Sequence, residues 1–247
     1  MPVNTHQRVV NELERRVFHD LEPGAPLPSE SELADELNVS RLTVREAVRS
    51  LQARGLIKVR HGRRPVVARL TATAVEDFFS ASVRRDPRNL LDMLDVRRAL
   101  EIHIASLAAR RVSRTAAAAM ADALAAMRES IEDPVEFNSA DVRFHEALAA
   151  ASGNQILTFL IEAMAEPLRA SRALSRRGHV ARQRPLQQVI DEHTRIYECV
   201  VAGDSNRAAA AMEDHLMQTE RSLRQAMELP TATDELAQPG QPHKESA

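Results

Sequence analysis

The chain has 247 residues, enough for two domains of ordinary size, and its composition, 44% hydrophobic and 28% charged, is that of a soluble globular protein. No window approaches the roughly 18 consecutive apolar residues of a spanning helix, and Met1–His6 carries no basic region followed by an apolar run, so neither membrane insertion nor secretion is expected. The net charge of −2 argues against a uniformly basic nucleic-acid binder, but it conceals a split: Arg41 to Arg64 holds 8 basic residues against the single acid Glu46. A lone cysteine, Cys199, cannot close an internal disulfide and suits a reducing cytoplasm. One Tyr, no Trp and abundant Ala, Leu, Arg and Glu favour helix over sheet.

In chain order, Val9, Val10, Leu13, Val17 and Phe18 recur at helical spacing and predict a helix from about Thr5 to Asp20, stopped by Pro23-Gly24-Ala25-Pro26. Ser29 with Glu32 three residues on is a capping-box pattern opening a helix through Leu33, Ala34 and Leu37. Asn38-Val39 makes the next turn, and Ser40 caps a second helix carrying Val44, Ala47, Val48 and Leu51, ended by Gly55. Leu56–Arg60 and Pro65–Ala68 are β-prone runs around His61-Gly62-Arg63-Arg64, which predicts a basic-tipped hairpin. Together these make a winged helix-turn-helix, expected within residues 1–69.

From Thr71 on the period is helical throughout, with helices expected at 72–83, 88–112, 114–131, 134–151, 154–177, 182–202 and 205–228. Asp133-Pro134, Ser152-Gly153 and Gly203-Asp204 are among the separators, so residues 72–229 predict an all-α antiparallel bundle with short loops. Residues 230–247, rich in Pro, Thr, Gln and charge, are expected to form a disordered tail.

Two sets of residues carry chemistry. Ser40, Arg41 and Thr43 fall in the first turn of the second short helix, the end that meets base edges in a major groove. Arg41, Arg45 and Arg49 follow at i+4 intervals on one face, and a guanidinium can grip guanine O6 and N7 together or clamp a phosphate. In the helical part, Asp141 and His145 stand at i, i+4. His193 lies 10 residues before Gly203 and His215 lies 12 after it, roughly 15 and 18 Å from the turn, so an antiparallel hairpin brings them to nearly one level. Three imidazoles and a carboxylate converging there suit a divalent cation such as Zn²⁺, Ni²⁺ or Mn²⁺; ordinary surface or core histidines, His103 included, are the alternative.

The stretches Leu27-Pro28-Ser29-Glu30-Ser31-Glu32-Leu33-Ala34, Val39-Ser40-Arg41-Leu42-Thr43-Val44-Arg45-Glu46-Ala47-Val48 and Leu51-Gln52-Ala53-Arg54-Gly55-Leu56-Ile57 resemble the GntR superfamily of transcriptional regulators. That resemblance implies DNA contacts from Ser40, Arg41, Thr43, Arg45 and Arg49, and from a wing at His61, Gly62 and Arg63. Ser31 departs from the family, where Arg is frequent. Arg97-Arg98-Ala99-Leu100-Glu101, Asp141-x-x-Phe144-His145, Gly153-Asn154, Glu192-His193, Ala202-Gly203-Asp204 and His215-Leu216 resemble the FCD effector domain of FadR-like members. This implies Asp141, His145, His193 and His215 as metal ligands and Arg97 as a residue facing the effector, with a surface ion pair to Glu101 as the other reading of Arg97. Arg169 and Arg172 are further candidates for lining the cavity. The expectation is therefore a homodimeric, ligand-responsive regulator, a repressor by preference and not an enzyme, that binds double-stranded DNA at a palindromic operator and senses a small carboxylate. A metal-free sensor of acyl-CoA, an effector-free architectural binder and a metal-dependent hydrolase are the alternatives.

Overall fold

The computed structural model describes residues 5–59, 63–69, 71–181 and 185–228, with the side chains of 74, 170, 173 and 175–181 set aside. The expected tail at 230–247 and the wing tip at His61 and Gly62 lie outside the described residues. The chain divides between Ala74 and Val75 into two compact units, each with its own core.

In the first unit α1 (Thr5–Arg15) packs on α3 (Arg41–Ala53), with α2 (Glu30–Leu37) beside it. The periodic positions are the buried ones: Val9, Val10 and Leu13 meet Val44, Ala47, Val48 and Leu51, and Leu13, Val44 and Leu51 are fully enclosed. Burying one such side chain contributes about 1.5–3 kcal/mol. Ser29 caps α2 as its spacing requires: its Oγ accepts from the Glu32 N–H at 3.2 Å, and its own N–H donates to Glu32 Oε2 at 2.7 Å. Asn38 closes that helix in the left-handed region at φ 51°, which a short polar side chain tolerates.

The first helix is not α-helical to its end. Arg16–Asp20 is a π turn, closed by the Leu21 N–H donating to Arg16 O at 2.9 Å. The wider turn keeps Val17 in the core but rotates Phe18 out to 58% exposure, so the apolar periodicity misplaced Phe18. The hairpin is shorter than expected: β1 (Ile57–Lys58) pairs antiparallel with β2 (Val66–Val67), Ile57 opposite Val67. The segment before α2 extends this ladder, with Gly24 N–H donating to Val67 O and Leu27 N–H to Pro65 O. The Pro-Gly break therefore pins the wing to the helices.

The second unit begins within α4 (Thr73–Arg85) and contains α5 (Asn89–Arg111), α6 (Arg114–Glu129), α7 (Pro134–Ala151), α8 (Gln155–Ala181), α9 (Leu186–Val201) and α10 (Ser205–Glu228). All seven helices fall where periodicity placed them, and the mainly α fold class with an N-terminal winged helix-turn-helix holds. Ser113 caps α6, and Asp133 caps α7 ahead of Pro134, whose missing N–H costs nothing in a first turn. α5 packs against α7, α8, α9 and α10. Its buried residues therefore include Arg97 and Glu101 as well as Ile104, Ala105 and Ala108. Phe144, Leu148, Met164, Ile196, Met212 and Leu216 complete the core around them. No described helix is long and apolar enough to cross a membrane.

Candidate metal centre and nucleic-acid interface

Helix α3 presents Arg41, Arg45 and Arg49 to solvent while its other face is core. Ser40 caps it, accepting from the Thr43 N–H at 3.1 Å, and the two hydroxyls lie 2.8 Å apart, so both sit at the helix's positive end. The first turn of α2 supplies counter-groups: Arg45 Nε meets Glu30 Oε2 at 3.0 Å, Arg41 donates to Ser31 Oγ, and Arg64 meets Glu32 Oε1 at 2.8 Å. Ser31 is thus a partner of Arg41. Arg63 is exposed beside the wing. Sequence reasoning passed over Leu42, which stands 62% exposed between these cations; an apolar residue breaking the helix's polar face was the available signal.

In the helical unit, α7 carries Asp141 and His145 one turn apart, α9 carries His193 and α10 carries His215, and all four are buried. The ring centroids of His193 and His215 are 4.4 Å apart, and those of His145 lie 5.2 and 5.5 Å from them. One ligand atom from each imidazole lies within 4.8 Å of the others. The level-matching across the Gly203 turn therefore brings the histidines together. His103 is exposed and outside the cluster.

The electrostatics ask for a cation. Burial pushes the His145 and His193 imidazoles down to about 4 and His215 well below its usual range, so all three are neutral at pH 7. A neutral imidazole has one proton. His193 nonetheless faces two acceptors, Val189 O at 2.7 Å from Nδ1 and Asp141 Oδ1 at 2.9 Å from Nε2. With the proton on Nδ1, the Nε2 lone pair points at a carboxylate oxygen and, at 3.3 Å, at His145 Nε2. A positive ion among these atoms removes the conflict. His215 has the matching tautomer, with Nδ1 3.1 Å from Glu192 Oε2. The donor set fits a borderline divalent cation.

Around this cluster sit charges that the sequence read only partly. Arg97 is buried, and its Nε meets Glu101 Oε1 at 2.5 Å while Nη2 lies 3.4 Å from His145 Nε2. The Arg97–Glu101 pair thus exists, but it is interior, not on the surface. Glu101 was missed as a site residue: its Oε2 lies 2.5 Å from His145 Nδ1. Burial alone would raise its pKa, but Arg97 and His145 beside it hold the carboxyl well below the ordinary range. Arg172 on α8 donates Nε to Asp141 Oδ2, and burial, then Arg97, pushes its pKa well down. Arg169 is exposed and pairs with Glu166.

A winged helix-turn-helix with a guanidinium-lined helix, followed by an all-α unit enclosing a polar cluster, is the build of a DNA-binding regulator. Residues 5–67 match the gntR family of bacterial regulatory proteins and residues 92–218 match the FCD domain. The chain is 33% identical to the HTH-type transcriptional regulator LutR of Bacillus subtilis (strain 168), over 83% of this chain and 94% of that one. It is 30% identical to the Galactonate operon transcriptional repressor of Escherichia coli (strain K12), over 91% and 99%. Among solved structures, Streptococcus agalactiae GntR superposes with a TM-score of 0.69 at 25% identity, covering 89% of this chain and all of that one. The chain belongs to the gntR family of transcriptional regulators and carries an FCD domain.

Proposed function

We propose that this regulator is a cytoplasmic homodimeric repressor whose helical unit binds a divalent cation through Asp141, His145, His193 and His215, and beside it a small organic acid that alters operator binding. The observation that carries the reading is His193, a neutral imidazole held between two acceptors with one proton to give. Zn²⁺ suits three imidazoles and one carboxylate best, with Ni²⁺ or Mn²⁺ as alternatives. When bound, the cation supplies a Lewis-acidic point for an oxygen of the organic acid. The protein's own residues do the rest: Val189 O and Glu192 fix the tautomers of His193 and His215, and Arg97 keeps Glu101 ionised against His145. A relative named for a galactonate operon supports a sugar acid or similar hydroxycarboxylate as the class of effector.

At the other end, Ser40, Arg41, Thr43, Arg45 and Arg49 enter the major groove, with His61, Gly62 and Arg63 at the wing. A two-fold dimer then reads a palindrome. An effector regulates only by binding one arrangement of the dimer better than the other.

Elemental analysis of purified protein tests the metal site. The wild type carries about one ion per chain and the His193→Ala/His215→Ala variant carries almost none; equal content in both places the ion elsewhere. For the head, Arg45→Ala weakens operator binding by about 1–3 kcal/mol in a gel-shift titration. Unchanged affinity would remove α3 as the reading helix.

A further inference from the structure

Among the described residues, Arg172 is a buried charge with two donors that the fold leaves unmet. Its side chain is only 10% exposed, and Nε is spent on Asp141 Oδ2. Among the described residues, Nη1 and Nη2 are both enclosed without an acceptor. Arg97, more deeply buried, shows the contrast, because Glu101 takes its Nε and His145 Nε2 lies against its Nη2. The carboxylates within the cluster already face other groups, and neither is given to the Arg172 Nη edge. Glu101 holds Arg97 and faces His145, and Asp141 holds Arg172 Nε and faces His193. A buried guanidinium edge with two open donors is strongly unfavourable unless something brings acceptors to it. Its two N–H groups lie in one plane at the spacing of a carboxylate's oxygens.

We propose that Arg172 is the carboxylate clamp of the helical unit: its Nη1–Nη2 edge takes both oxygens of a small organic acid while its Nε holds Asp141 toward the imidazole cluster. This rests on the organic-acid reading above and adds which side chain binds the acid. It also adds a coupling. One guanidinium touches both the acid and a carboxylate of the metal cluster, so acid and cation alter each other's binding by the same factor.

The test uses the full-length, zinc-loaded protein and follows its thermal midpoint with acetate, succinate or D-galactonate. Inorganic phosphate and neutral acetamide are run at matched ionic strength. At least one carboxylate raises the wild-type midpoint and acetamide does not. In Arg172→Gln the affinity for that carboxylate falls about tenfold or more and zinc is held more weakly. Arg172→Lys keeps the charge near Asp141 and so restores zinc retention, but it lacks the fork and stays deficient toward the acid. Should either variant fail to fold, ¹⁵N guanidinium NMR of the wild type carries the test: one set of arginine Nη protons becomes protected from exchange on adding the acid, and no such change overturns the clamp. Wild-type carboxylate affinity in Arg172→Gln also overturns the clamp and leaves the organic-acid reading standing. A wild type indifferent to every carboxylate, or responsive to phosphate alone, overturns both.

Discussion

Glu101 shows how a single side chain decides whether a charged interior is tolerable. It neutralises Arg97 at 2.5 Å and faces the imidazole of His145, all below the surface. Glu101→Ala leaves a buried guanidinium uncompensated, which costs about 3–5 kcal/mol. Chemical denaturation should show that loss in the helical unit. Glu101→Gln keeps the volume and an acceptor and should recover part of it. The sequence could not announce this role, because an Arg–Glu pair at i, i+4 is equally at home on a solvated helix face. What buries the pair is the packing of α5 among four other helices, which is not a local property. The histidines were legible for the opposite reason: their spacing about Gly203 is local, and an antiparallel hairpin turns it directly into proximity. Arg172 is a cavity candidate beside the family resemblance, but its pairing with Asp141 was not legible, since a 31-residue separation carries no periodic signal.

Among the elements, those whose ends are chemically marked were read correctly. Ser29 and Ser40 each cap the helix that their spacing suggested, and Asp133, read only as part of a separator, turns out to cap α7. Ser29→Ala should remove the capping box and lower the stability of the head by about 1 kcal/mol, measured as a shift of its urea midpoint. The π turn at Arg16–Asp20 was invisible because periodicity assumes 3.6 residues per turn up to the end of a helix. Ion pairs surround that turn: Glu12 bonds Arg15 and Arg16, which hold its carboxyl down to about 2. A carboxylate depressed in the folded state stabilises above its unfolded pKa of about 4.5. That contribution is lost as pH falls from there toward 2. Glu12→Gln should accordingly flatten the acid limb of the head's stability profile, and an unaltered limb in circular-dichroism melts would show that these pairs contribute nothing.

For the molecule as a whole, two separate cores predict two unfolding transitions by calorimetry. Only the helical unit carries the proposed cation. An ion present at 100 times its dissociation constant adds about 2.7 kcal/mol to the unit that binds it. Chelation should therefore lower one transition by several degrees, leave the other in place, and have no effect on the His193→Ala/His215→Ala variant. If both transitions move together, the units do not unfold independently.

The acidic first turn of α2 has a consequence for DNA. Glu30 holds Arg45 and Glu32 holds Arg64 on the face that would meet the duplex. On the proposed reading of α3, these carboxylates compete with phosphates for the same arginines, so the head is its own first competitor. A random sequence offers each arginine little more than an exchange of one anion for another, whereas a matched operator adds base contacts that the carboxylates cannot imitate. Exposed pairs of this kind are worth about 0.2–1 kcal/mol. Glu30→Gln should then tighten binding to non-cognate duplex up to about fivefold and narrow the margin between operator and bulk DNA, read by fluorescence anisotropy on the two. On the proposed reading of α3, the acids beside it make the protein more discriminating by making it less adhesive.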